Sequence, residues 1–197
     1  MASAPPLRLE FVMSATGVEQ LTGTRAEIAF AGRSNVGKSS LINALANRNQ
    51  LARVSKTPGR TQHLNLFKGP DGRTIVDLPG YGYAKVPTKV RAGWAPMIQR
   101  YLLNREGLRL VVLLVDGEVG PTKLDLDMLA WLVDHGIGYK IVATKQDKVK
   151  SSARTKRKSE VAAKCGVEPR DVLWVSAAKN VNIELLRGRV HEWLGPA

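Results

Sequence analysis

The sequence predicts a single α/β domain built on a mainly parallel six-stranded sheet, with one antiparallel edge hairpin and helices on both faces. Three observations carry that expectation. Short apolar runs alternate with helix-length amphipathic segments along the chain. One strand–loop–helix junction holds a glycine-rich phosphate-binding pattern. The 197 residues contain no repeat, low-complexity run or linker that would divide them. Residues 1–24 are expected to form an N-terminal extension packed on a domain of residues 25–197.

The elements follow in order. Glu27 to Ala31 reads as a short buried strand, and Ser40 to Leu45 opens a helix just after the glycine-rich loop. A polar stretch from Asn47 to Gln62 precedes the alternation His63-Leu64-Asn65-Leu66-Phe67. Lys68-Gly69-Pro70-Asp71-Gly72 is a tight turn, so the strand Arg73 to Asp77 should pair antiparallel with the one before it. A helix is expected between Lys89 and Asn104. Leu108 to Val115 is continuously apolar, as a strand covered on both faces must be. A helix from Thr122 to Val133, a strand from Lys140 to Ala143 and a helix from Arg154 to Lys164 come next. A strand from Val172 to Val175 and a helix from Ile183 to Leu194 close the domain.

Composition sets outer bounds on function. A single cysteine, Cys165, excludes an internal disulfide and suits a reducing cytoplasm, where it reads as a small apolar filler. The longest apolar run, Leu110 to Val115, is strand-sized, so neither a signal peptide nor a membrane partner is expected. Thirty basic against seventeen acidic residues leave a net charge of +13, which favours a polyanionic partner. His135, His191 and His63 have no spacing that suggests metal ligation.

The glycine-rich loop is Gly32-Arg33-Ser34-Asn35-Val36-Gly37-Lys38-Ser39, a full match to G-x-x-x-x-G-K-S/T. Its glycines let successive N–H groups converge on phosphate, and the helix that follows adds the positive end of its dipole. Lys38 can reach the β- and γ-phosphate oxygens, and the Ser39 hydroxyl can hold magnesium. Ligands in doubly wound sheets sit at the carboxyl ends of strands, and the later strand ends carry matching chemistry. Asp77-Leu78-Pro79-Gly80 lies 38 residues beyond Ser39; its carboxylate can hold magnesium through water, and the Gly80 N–H can meet the γ-phosphate. Thr144-Lys145-Gln146-Asp147 offers a carboxylate to the N1–H and 2-amino donors of guanine, with the Lys145 stem over the base plane. Adenine lacks that donor pair and would leave the acceptor unpaired, so the site selects GTP over ATP. Val175-Ser176-Ala177 supplies a backbone N–H, foremost that of Ala177, to guanine O6. Between the first helix and the second strand, Thr57 and Thr61 both qualify to complete magnesium coordination when GTP is bound. Thr61, just before a strand, is the better anchored.

Taken together, G-R-S-N-V-G-K-S, T-P-G-R-T-Q, D-L-P-G-Y-G-Y-A, T-K-Q-D-K and V-S-A resemble the EngB (YihA/YsxC) family of bacterial GTPases, within the TrmE-Era-EngA-YihA-septin class. The likeness runs from about Phe11 to Leu194. It implies a monomeric, cytoplasmic, Ras-like GTPase that binds the large ribosomal subunit, both RNA and protein, during assembly and is needed for normal cell division and septation. It also implies nucleotide contacts at Gly32 to Ser39, at Gly59, Arg60, Thr61, Gln62 and His63, at Asp77, Leu78, Pro79 and Gly80, at Thr144 to Asp147, and at Val175 to Ala177. Magnesium falls to Ser39 and Thr61. One departure is Glu118, where the family pattern leads one to expect arginine two residues past Asp116.

Ras-type GTPases place glutamine directly after D-x-x-G to orient the attacking water; here that position is Tyr81. Slow intrinsic hydrolysis is therefore expected, with help from a second source of positive charge. One candidate is a potassium ion held by Asn35, as in related GTPases with asparagine there; the alternative is that Asn35 only shapes the loop. Another is ribosomal RNA or protein acting in trans. The candidate catalytic set is Lys38, Thr61, Gly80 and Asn35.

The charge is unevenly placed. Arg48 to Arg60 holds four basic residues, and Tyr81 to Arg105 five, both without acids; Lys140 to Lys164 holds nine against Asp147 and Glu160. The first two segments adjoin the parts expected to respond to the γ-phosphate, which suggests a basic surface gated by GTP. The rival readings are a P-loop ATPase or kinase, a septation module using GTP only as a switch, and a tRNA-modifying GTPase. The Thr144–Asp147 motif disfavours the first and the lack of extra domains the last.

Overall fold

The computed structural model describes residues 4–52, 63–81 and 88–195, and for 88–95 the backbone alone. Every residue of β2 (Glu27–Gly32) is buried, because the strand lies between two parallel neighbours, β4 (Thr74–Asp77) and β5 (Leu108–Asp116). Beyond β5, β6 (Tyr139–Thr144) and β7 (Val172–Trp174) add in parallel. On the other side β3 (Leu64–Lys68) pairs antiparallel with β4, forming the expected hairpin, and β1 (Glu10–Ala15) pairs antiparallel with β3. The strand order is β1-β3-β4-β2-β5-β6-β7.

The sheet therefore has seven strands among the described residues rather than six, and the hairpin is not its edge. The extra strand comes from within residues 1–24, expected only to pack against the domain. Its sequence, EFVMSA, lacks a regular apolar alternation, and Phe11 and Val12 remain exposed. What recruits it is the free edge of β3, reinforced by the edge-on contact of Phe11 with Phe67 at 5.8 Å between ring centroids.

Alternation sorts the central strands onto two buried faces. Ala29, Ala31, Val111, Leu113, Val115, Ile141 and Ala143 share one cluster with α2 (Thr88–Asn104), α3 (Lys123–Asp134) and α4 (Arg154–Cys165). Ile28, Phe30, Val112, Leu114 and Val142 face α1 (Lys38–Ala46) and α5 (Ile183–Leu194). The buried Arg187 of α5 donates to the carbonyls of Leu45 (2.9 Å) and Ala44 (2.7 Å), closing the carboxyl end of α1 with a guanidinium. Among the described residues no helix is long and apolar enough to cross a membrane.

At the amino ends of the strands a buried carboxylate ties β2 to α2. Glu27 accepts from Tyr101 Oη (2.6 Å), from Thr74 Oγ1 (2.6 Å) and from Arg105 through Nε (2.8 Å) and a terminal nitrogen (2.9 Å). The carboxylate holds the Arg105 guanidinium above its ordinary range, while burial and then the Glu27 charge push the Tyr101 phenol well above its own. Arg105→Met should strand this carboxylate without a cation and cost about 3–5 kcal/mol, read as a lower urea midpoint. Burial also pushes the Cys165 thiol up to about 11. Native protein at pH 8 should thus alkylate with iodoacetamide far more slowly than guanidinium-unfolded protein, measured by intact mass.

Candidate functional site

The carboxyl ends of the parallel strands bring the predicted motifs together. Gly32 ends β2, and the loop to α1 turns through Asn35 (φ 64°) and Gly37 (φ 100°), both in the left-handed region. Gly37 is the N-cap of α1, so Lys38 and Ser39 occupy its first turn, where backbone N–H groups lack intrahelical partners. Lys38 is 7% exposed and its ammonium pairs with the carboxylate of Asp77, at the end of β4 and itself buried. Two groups expected to serve one metal–phosphate centre thus already neutralise each other. Ser39 is half-buried in the same turn.

The Asp77–Gly80 segment docks on this loop. Ser34 N–H donates to Tyr81 O at 2.9 Å and Ser34 Oγ to Gly80 O at 3.1 Å, and Arg33 and Tyr81 form an isolated parallel bridge. A Cβ at Gly80 would lie 3.0 Å from the Ser34 Cα, so only glycine fits this approach without displacing the loop.

The base-recognition end is tied to the same loop. Thr144 Oγ1 donates to Val36 O at 2.6 Å, fixing the phosphate loop against β6. Lys145 takes a left-handed conformation (φ 55°), and its ammonium bonds Asp116 Oδ2 at 2.7 Å, which pins the stem meant to lie over the base. Asp147 accepts from Ser176 Oγ at 2.5 Å through Oδ1. The carboxylate keeps further acceptor capacity for the guanine donors expected there. Ser176 N–H is bonded to Val181 O at 3.0 Å, so of the segment expected to meet guanine O6 this N–H is already engaged.

Gly59, Arg60, Thr61 and Gln62, with the alternative Thr57, lie outside the described residues, whereas His63 is exposed just before β3. Asp116 is a site residue the motifs did not single out. It receives the Lys145 ammonium and, on Oδ1, the N–H groups of Glu118 (2.9 Å) and Val119 (3.1 Å). Its place at the carboxyl end of β5 was the signal. Those bonds use the backbone of Glu118, so an exposed glutamate in place of the expected arginine leaves the turn intact.

The residues present fit nucleotide and magnesium. The buried Arg33 Nε and Gln146 Oε1 have no hydrogen-bond partner among the described residues, and both belong to segments predicted to touch nucleotide. The hydroxyl of Ser39 and the carboxylate of Asp77 are hard oxygen donors of the kind magnesium takes.

A phosphate loop at a helix start, an acidic strand end docked on it and a T-K-x-D loop tied beneath it define a P-loop GTPase. Comparison with known proteins agrees. The family described as "50S ribosome-binding GTPase" matches residues 27–145. The "Probable GTP-binding protein EngB" of Desulforapulum autotrophicum is 44% identical over 189 residues, covering 95% of this chain and 97% of that protein. The like-named protein of Geotalea daltonii is 46% identical over 187 residues, covering 94% and 90%. A crystal structure of a probable GTP-binding protein EngB superposes with a TM-score of 0.72 at 28% identity, over 86% of this chain and 98% of that one. An Era variant from Aquifex aeolicus bound to GDP.AlF4− gives 0.68 at 21% identity, over 87% and 57%, a likeness of fold alone. The chain belongs to the EngB family of GTP-binding proteins, and it is a GTP hydrolase.

Asp147→Asn should replace an acceptor with a donor facing the base. Guanine nucleotide affinity should fall about tenfold to a hundredfold, and preference should move toward xanthosine nucleotides in competition binding.

Proposed function

We propose that this GTPase is a slow, nucleotide-gated switch that binds the large ribosomal subunit during its assembly in the cytoplasm, and through that role supports cell division and septation. The observation that carries the switch is the pair of hydrogen bonds from Ser34 to the carbonyls of Gly80 and Tyr81. The segment that must sense the γ-phosphate rests directly on the loop that cradles it. Support for the ribosomal partner comes from the description of the matching family and from the net charge of +13, suited to RNA phosphates.

In this reading GTP takes Lys38 away from Asp77, the ammonium turning to the β- and γ-phosphates. Magnesium, when bound, neutralises charge on those oxygens; Ser39 and Thr61 would hold it directly and Asp77 through water. The Gly80 N–H contacts the γ-phosphate. Movement of the Gly80 segment then presents the basic residues of the 48–60 and 81–105 stretches to RNA. Lys148, Lys150, Lys156 and Lys164, all exposed, add a basic surface around α4. No glutamine follows Gly80, and the Tyr81 hydroxyl is bonded to Asp125 at 2.9 Å, which supports a low intrinsic rate. Asn35, exposed in the phosphate loop, is the candidate ligand for a potassium ion that would supply the missing positive charge. The protein acts as a monomer.

Two measurements test this. Large subunits should co-sediment several-fold more protein with a non-hydrolysable GTP analogue than with GDP, and the binding should weaken about tenfold or more between 50 and 200 mM salt. Equal recovery with GDP rules out the gating. Turnover should be faster in potassium than in sodium chloride, and Asn35→Asp should change that ratio; equal rates in both salts remove the potassium ion.

A further inference from the structure

Tyr81 occupies the position of the missing glutamine, but its side chain is committed elsewhere. Its hydroxyl donates to Asp125 Oδ1 at 2.9 Å. Asp125 is 1% exposed, and its second oxygen accepts from the Thr122 N–H (2.8 Å) and Thr122 Oγ1 (2.7 Å), closing the first turn of α3 as a capping box. One carboxylate therefore caps a helix and anchors the residue after D-x-x-G. Burial, and then the Asp125 charge, hold the phenol well above its ordinary pKa, so it remains a donor across the physiological range; the nearby Arg33 charge opposes this as the smaller effect.

The main chain beside that phenol is tied to the phosphate loop. Tyr81 O accepts from Ser34 N–H at 2.9 Å and Gly80 O from Ser34 Oγ at 3.1 Å. Residues 80–81 are thus held from two sides, by the phosphate loop through their carbonyls and by the start of α3 through the phenol. A hydrogen bond from a neutral donor to a buried carboxylate is among the stronger kinds, and leaving either end unmet is costly.

We infer that Tyr81 is a positioning residue for GTP hydrolysis: anchored on Asp125, its side chain fixes where the Gly80 N–H stands relative to the phosphate loop, and hence to the γ-phosphate. The inference rests on Gly80 as the γ-phosphate contact. Glutamine would act on the water; Tyr81 acts on the backbone. Its hydroxyl is engaged by Asp125, and its ring packs against the cluster under α3. GDP, which lacks the γ-phosphate, should be indifferent to the anchor.

The test is Tyr81→Phe, which keeps the ring and removes the bond. We expect kcat to fall about fivefold, with KM for GTP and Kd for GDP within about twofold of the parent. Thr122→Ala is the control: it weakens the cap on the other oxygen of Asp125, so it should lower Tm and leave kcat in place. An unchanged kcat in Tyr81→Phe overturns the inference. So does an equal kcat loss in Thr122→Ala, which would trace the effect to helix capping, or a GDP affinity that falls in step with kcat, which would trace it to the whole site. Turnover and γ-phosphate discrimination in the parent test the underlying reading; the ratio of variant to parent tests this one.

Discussion

Everything in this molecule depends on the parallel register of the central strands. Phe30 of β2 stands opposite Asp77 of β4, Gly32 opposite Leu114 of β5, and Asp116 opposite Thr144 of β6. The carboxyl ends of four strands therefore finish side by side, and each releases a loop into the same crevice. Burial on both faces fixes that register, since a slip of one residue would exchange the two apolar clusters. A site assembled from loops far apart in sequence is held by the least negotiable part of the fold.

Buried charges divide the labour along the strands. At the amino ends, Glu27 and Arg105 form a structural pair with Tyr101 and Thr74 completing the carboxylate's bonds. At the carboxyl ends, Lys38 with Asp77 and Lys145 with Asp116 are pairs within the nucleotide site. In the proposed cycle Lys38 and Asp77 would leave each other for phosphate and metal, so that each would keep an opposite charge beside it. The second fixes the Lys145 side chain at the carboxyl end of β6. Similar chemistry serves architecture at one end and ligand exchange at the other.

The motifs made much of the site legible. G-x-x-x-x-G-K-S, D-x-P-G and T-K-Q-D are short, local patterns whose residues do their chemistry where they stand. Less legible were the links between them. Thr144 reaching Val36, Ser34 reaching Gly80 and Tyr81 reaching Asp125 span 108, 46 and 44 residues. No local pattern encodes such pairs. Strand β1 escaped for a related reason: its pairing is supplied by the open edge of β3, and its own residues carry little periodicity.

The sequence by itself determined the class of fold, the order of strands and helices from β2 onward and the identity of the nucleotide, because backbone propensity, apolar periodicity and the donor–acceptor pattern of a base are local matters. Only the tertiary structure decided the seventh strand, the role of Asp116 and the fate of Tyr81. Those depend on which surfaces meet once the sheet has closed. The phosphate loop is readable as eight consecutive residues; how it is coupled to the segment after Asp77, and through Tyr81 to α3, follows from packing that brings distant hydrogen-bonding groups within 3 Å or so of one another.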